Sequence, residues 1–355
     1  MLASTTDYAY PQSPRQSMAS RPNLRAANVN SEASFGASLG TGRTCPLDYY
    51  YQPTVFARGA DFTADVLYVV GGLYGNLAAI DELEALASTE QAPVTFVFNG
   101  DFHWFDADRK WFDDVETRLS RYCALRGNVE TEISRMEDIG AGCGCAYPPT
   151  VDDLTVQRSN QILAALKSVA QGRAAGCERL SKLPMQLVVE VAGLRVGIVH
   201  GDAEALAGWR FSAESLDSAE SPPWLERIRQ QSQIDVFAST HTCVAALRQY
   251  VLPSGRLTVI NNGSAGMPNF SRTRFGLVSR ISGRPSPHRP LYGTLHKGAH
   301  IDAIALDYDQ DAFSEMFLSR WSNESPAFLS YFDRIANGAA HDIARARLSA
   351  VTHHR

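Results

Sequence analysis

From Val66 onward, short apolar runs alternate with stretches in which apolar residues recur every three or four positions. VLYVV at 66–70 is β-rich, Gly71-Gly72 breaks it, and Leu77, Ile80, Leu83 and Leu86 then follow at helical spacing. The unit repeats in VTFVFNGD at 94–101, with a helix predicted from about Asp108 to Tyr122. A third short strand ends at Leu125, before Arg126-Gly127-Asn128. Past a segment containing GAGCGCAYPP, the pattern predicts a helix over 153–170, then strands MQLVVEV and LRVGIVHGD joined by a hairpin turn at Ala192-Gly193. A helix near 223–231, a strand in IDVFAS, a strand pair in VAALRQYVLPSGRLTVI, and strands in FGLVSRI and IDAIALDYD follow. Strands that first alternate with helices and later pair by hairpins predict a mixed-sheet α/β domain.

Residues 1–44 have only isolated large apolar side chains and no sustained period, so they read as a disordered N-terminal segment. The expected domain spans 45–312, with a cysteine-containing insertion near 136–152, and 313–355 reads as a helical C-terminal extension. With 355 residues and 45% apolar content the chain can bury a large core. Its net charge of −5 and the lack of a Lys/Arg cluster argue against a reader of nucleic-acid sequence. No apolar run reaches the roughly 18 residues a membrane span needs. The six cysteines show no small-domain disulfide framework, which suits a reducing compartment, and the expected location is the cytoplasm. The oligomeric state is not legible.

Four polar residues sit just after strands: Asp101 after FVFNG, Asn128 after ALRG, His200 after VGIV and His241 after VFAST. In open α/β sheets ligands bind at the carboxyl ends of strands, so these four can converge. A carboxylate, an amide oxygen and two imidazoles suit Mn, Fe or Zn. Each residue alone has a plainer reading, as a helix cap, a turn residue or a structural histidine; order and local wording, in NGD, RGN, VHGD and STHT, set them apart.

These blocks resemble the calcineurin-like metallophosphoesterase superfamily. Its members read D-x-H-G-N, G-D, G-N-x-[D/E], H-G, G-H-x-H and a N-x-G-S turn; here stand GLYGN at 72–76, GD at 100–101, GNVE at 127–130, HGD at 200–202, THTC at 240–243 and NNGSAGMP at 261–268. The resemblance covers roughly 65–310 and implies a four-layer αββα sandwich, two mixed sheets face to face and flanked by helices. It also implies that the positions of one metal, Gly72, Tyr74 and Cys243, are degenerate, while those of the other survive as Asn128, His200 and His241 with the bridging Asp101. A site for a single divalent ion follows as the expectation.

Other residues lie near these motifs. Cys243 offers a thiolate at a ligand position or is a small buried residue. His103, two residues past Asp101, shares its face if the chain stays extended, as a ligand or general acid, or is an ordinary turn histidine. Asp106 and Asp202 are candidates for capping, and these two with Asn76 for orienting ligands from behind or for touching substrate. Cys143 and Cys145 form a C-x-C pair in a Gly-rich loop, and the backbone amides of NNGSAGMP are candidates for phosphate oxygens. The leading expectation is metal-dependent hydrolysis of a small phosphorylated substrate, a mono- or diester such as a nucleotide. The alternative is an inactive relative that binds metal or a phosphorylated ligand. A third reading, a metal or redox protein built on Cys45, Cys143, Cys145 and Cys243, requires those sulfurs to gather.

Overall fold

The apolar runs assemble into two six-stranded sheets. The computed structural model describes residues 40–347. In chain order the strands are β1 (Phe62–Thr63), β2 (Val66–Val70), β3 (Val94–Asn99), β4 (Cys123–Leu125), β5 (Gln186–Val191), β6 (Leu194–Val199), β7 (Val236–Ser239), β8 (Ala246–Leu252), β9 (Gly255–Asn261), β10 (Gly276–Ser282), β11 (Tyr292–His296) and β12 (Ala299–Leu306). One sheet has the order β11-β12-β10-β2-β3-β4 and the other β1-β5-β6-β7-β9-β8. Both are mixed: β2, β3 and β4 run parallel while β10 pairs antiparallel with β2, and β6, β7 and β9 run parallel while β5 and β8 are antiparallel to their neighbours.

The pleat of β2 explains the layering. Leu67 and Val69 pack in one apolar cluster with Val189, Val196, Ile198 and Ile260 of the facing sheet, whereas Val66, Tyr68 and Val70 join Ile80, Leu83 and Phe112 from the helices behind. Both faces are covered, so the strand reads as a continuous apolar run rather than an alternation. The helices are α1 (Leu77–Ala87), α2 (Arg109–Leu119), α3 (Asn128–Ser134), α4 (Asp153–Gln171), α5 (Ala174–Ser181), α6 (Ala213–Leu216), α7 (Ser221–Ser232) and α8 (Gln310–Arg320). Asp108 caps α2, its carboxylate accepting from the amides of Lys110 and Trp111. The Ala192-Gly193 hairpin stands as expected, with left-handed φ at both residues. Strands β1 and β11 and helices α3 and α5 were not legible: the strands are edge pieces, and α3 is buried along its whole length, so it has no polar stripe to betray its period.

The expected disordered segment lies outside the described residues up to position 39, as do 348–355 of the C-terminal extension. Residues 40–44 are tied to the insertion instead. The Gly42 amide donates to Ala141 O at 3.1 Å, and the Arg43 guanidinium donates to the carbonyls of Pro148 and Val151 at 2.8 and 2.7 Å. After α8 come a π-helical turn at Phe328–Phe332 and short helices at Asp333–Asn337 and Ile343–Ala346. Trp321 Nε1 donates to Phe105 O at 2.8 Å, and Arg334 donates to Pro268 O and Cys243 O at 2.8 and 3.1 Å. The extension therefore lies against the loops that carry the motif residues. No described helix is long and apolar enough to cross a membrane.

Candidate metal centre

Asn99, the last residue of β3, braces the two sheets. Its buried amide nitrogen donates to Val199 O, at the end of β6, at 2.7 Å. That brace brings the carboxyl ends of β3, β4 and β6 together, with β7 beside β6. Just beyond these ends stand Asp101, Asn128, His200 and His241, at 6%, 1%, 0% and 5% exposure.

Each imidazole has one nitrogen committed to a backbone carbonyl. His200 Nδ1–H donates to Asn99 O at 2.9 Å, and His241 Nε2–H donates to Cys145 O at 3.0 Å. The remaining nitrogens turn inward: His200 Nε2 lies 3.1 Å from His241 Nδ1, 3.1 Å from Asn128 Oδ1 and 3.3 Å from Asp101 Oδ2. Unprotonated, these inward-facing atoms repel unless a cation lies among them; without an ion, a proton on His200 Nε2, which Asp101 favours, relieves the crowding. Ligands set tetrahedrally at ~2.1 Å from an ion stand about 3.4 Å apart, close to the distances from His200 Nε2 to the other three atoms. Asn128 Nδ2 donates to Cys143 O at 2.9 Å, which fixes its oxygen toward the centre. Among the described residues, Asp101, His200 and His241 are the one group of three or more His, Cys, Asp or Glu side chains that converge this closely. The crowding bears on protonation too. Burial lowers the His200 pKa but the Asp101 carboxylate more than offsets it, whereas burial and then the His200 charge push His241 down to about 4.

Glu130 organises the loop that carries Asp101, a role the sequence reading missed. Its buried carboxylate accepts from the amides of Asp101 and Gly127 at 2.8 Å each, and of Phe102 and His103 at 3.1 and 3.2 Å. The acidic residue closing GNVE was the available signal. Two glycines permit the approach: a Cβ on Gly100 would meet the Gly127 nitrogen at 2.5 Å, and one on Gly127 would collide with the Asp101 carboxylate.

Gly72, Tyr74 and Cys243 pack against one another. Tyr74 Oη lies 2.8 Å from Cys243 Sγ, and a Cβ on Gly72 would meet Tyr74 Oη at 2.9 Å. Tyr74, Asp101 and Cys243 all keep a left-handed φ, of 56°, 50° and 55°. Such values are uncommon for residues with a side chain and gather at sites where surrounding structure enforces them.

The remaining candidates are engaged elsewhere. His103 does not face the centre. Asp101 turns left-handed and Glu130 gathers the next amides, so the chain is not extended; the His103 ring bonds Asp106 at 2.5 Å and Glu116 at 2.9 Å, stacked on Phe112. Asp106 therefore serves His103 and the amide of Trp104 rather than a ligand. Asp202 shapes its own loop, accepting from the amides of Glu204, Ala205 and Arg210. Asn76 caps α1 through Ala79 N and ties it to Gly266 O at 3.0 Å. The amides of 263–267 are spent internally or on Gly71 O and Gly72 O, leaving none for phosphate. The sulfurs of Cys143 and Cys145 are paired with each other, and no described cluster joins them to Cys45 or Cys243.

Two mixed six-stranded sheets are layered between helices, with the motif blocks at their strand ends. Among solved structures, a hypothetical protein from Pyrococcus horikoshii aligns with a TM-score of 0.52 at 17% identity, over 78% of this chain and 99% of its own. A metallophosphoesterase from Sphaerobacter thermophilus aligns at 0.47 and 12% identity, over 77% of this chain and 100% of its own. At such identities the likeness is one of fold. No protein-family model matches the chain, and no curated protein does.

Proposed function

We propose that this chain holds one divalent ion, of Mn, Fe or Zn, through Asp101, Asn128, His200 and His241, and hydrolyses a phosphate ester of a small phosphorylated substrate, a nucleotide among them. The observation that supports this best is the fixed tautomer of each imidazole: His200 and His241 donate outward to carbonyls and so turn lone pairs toward Asn128 Oδ1 and Asp101 Oδ2. When bound, such an ion supplies a more acidic water and polarises a phosphoryl oxygen. The chain's own part is to hold four donors without rearrangement and to keep the surroundings dry, where charge interactions strengthen. A single ion is favoured by the Tyr74–Cys243 contact, which fills the neighbouring position.

A specific observation favours a second reading, a metal-holding or phospholigand-binding module without turnover. The four donors are almost wholly buried, so substrate access demands movement of the covering loops. Metal content by elemental analysis, run beside hydrolysis of an aryl phosphodiester with added Mn²⁺ for wild type and His200→Ala, separates the two. About one ion per chain with turnover lost in the variant supports the phosphoesterase. One ion without turnover supports the binding module, and no ion in wild type overturns the phosphoesterase and the metal-holding module alike.

A further inference from the structure

Cys143 and Cys145 stand directly behind the candidate centre, yet neither contributes to it through a donor atom. Their backbone does. Cys143 O takes the Asn128 Nδ2–H at 2.9 Å; Cys145 O takes the His241 Nε2–H at 3.0 Å and the Trp209 Nε1–H at 2.9 Å. Two of the four donors are thus aimed by carbonyls on either side of one residue, Gly144. The Cys143 carbonyl carbon lies within the ring closed by the sulfur–sulfur bond, and the Cys145 carbonyl is attached to it. Left-handed φ at Gly142, Gly144 and Ala146 folds the segment back, and Gly144 has no room for a side chain because a Cβ would meet Tyr49 Oη at 2.5 Å.

We infer that the Cys143–Cys145 pair is an oxidisable modification site that sets the aim of Asn128 and His241, and hence the affinity of the centre for its ion. The inference rests on the metal-binding reading above. Opening the bond frees the torsions between the two carbonyls, which no longer hold a fixed separation; closing it restores them. The oxidant class is a low-molecular-weight disulfide. One cysteine sulfur attacks oxidised glutathione, expelling one glutathione thiolate and forming a mixed disulfide; the second sulfur then displaces the other glutathione. The protein loses two electrons and two protons, and two reduced glutathiones result. Cys143 is fully buried and Cys145 6% exposed, so the exchange requires the loop, which begins at the exposed residues 136–140, to open.

The test uses the full chain, freed of metal and equilibrated with oxidised or with reduced glutathione. Of six cysteines, four thiols should titrate in the oxidised protein and six in the reduced, with the lost pair located at 143 and 145 by peptide mass. Co²⁺ is then titrated into each form and followed by its visible absorption. The oxidised form should bind about tenfold more tightly, in the range for groups that orient metal ligands, and Cys143→Ser should abolish the difference. Should that variant not fold, the two wild-type forms decide the matter alone. Six thiols in both forms, or equal Co²⁺ affinity, overturns the inference and leaves the metal reading standing. No Co²⁺ binding in either form overturns both.

Discussion

Replacing Glu130 with Gln tests whether one side chain holds the loop of Asp101 in place. Each carboxylate oxygen accepts two amides: Oε2 takes those of Asp101 and Gly127, Oε1 those of Phe102 and His103. A glutamine has one acceptor, so its better orientation keeps two amides and points an NH₂ group at the other two. A buried donor left unpaired costs ~1–3 kcal/mol, giving a loss of about 2–6 kcal/mol against a typical domain stability of about 5–15 kcal/mol. Equilibrium urea unfolding of wild type, Glu130→Gln and the surface control Glu178→Gln measures it. The control removes only an exposed pair with Lys182 and should change stability by less than about 0.5 kcal/mol. Metal content should fall with stability in Glu130→Gln, because the left-handed turn at Asp101 loses its anchor. A Glu130→Gln protein within about 1 kcal/mol of the control would refute the reasoning, since that is the smallest cost of one orphaned amide.

Burial lowers the His103 pKa, but Asp106 and Glu116 together raise it to about 10. Against an unfolded value of ~6.5, this stabilisation is complete below that pH and is lost as pH rises through about 10. Thermal melts should therefore show wild type losing its advantage over His103→Gln across that window; parallel curves would sink the assignment. Gly127→Ala pushes a methyl into the Asp101 carboxylate and to 2.9 Å from His200 Cε1. Its affinity for Co²⁺ should drop at least about tenfold, and an unchanged titration would show that the two loops can part without consequence. Gly72→Asp with Tyr74→His and Cys243→His should raise metal content from about one toward two ions per chain by elemental analysis. Gly72→Asp alone should not, and a triple variant still holding one ion would mean that something besides these three side chains closes the position.

Most of the fold was legible because its strands are apolar runs ended by glycine and its helices α1, α2, α4 and α7 carry clear helical spacing. The four inward-facing donors were legible for a related reason: a polar residue directly after a buried strand stands out. What stayed hidden was work done by the backbone. The carbonyls of Asn99, Cys143 and Cys145 aim three of the four side chains, and a carbonyl has no letter in the sequence. His103 was misplaced because two-residue spacing predicts a shared face only along an extended chain, and the 50° φ of Asp101 ends that chain at the motif itself. Glu130 was written in GNVE but unread, since one carboxylate gathering amides from two loops is a tertiary event.

The contact among Gly72, Tyr74 and Cys243 has a bearing on how this chain can change over time. If a second ion is to be held here, an aspartate at 72 meets the Tyr74 hydroxyl, a histidine at 74 has no carboxylate at 72 to join it, and a histidine at 243 must displace the sulfur that Tyr74 packs against. On that reading no single substitution completes a second ligand set, and each gives up packing that exists. Descent from a two-metal ancestor would thus behave as a ratchet, in which the order of the first losses is erased and return demands three coincident steps.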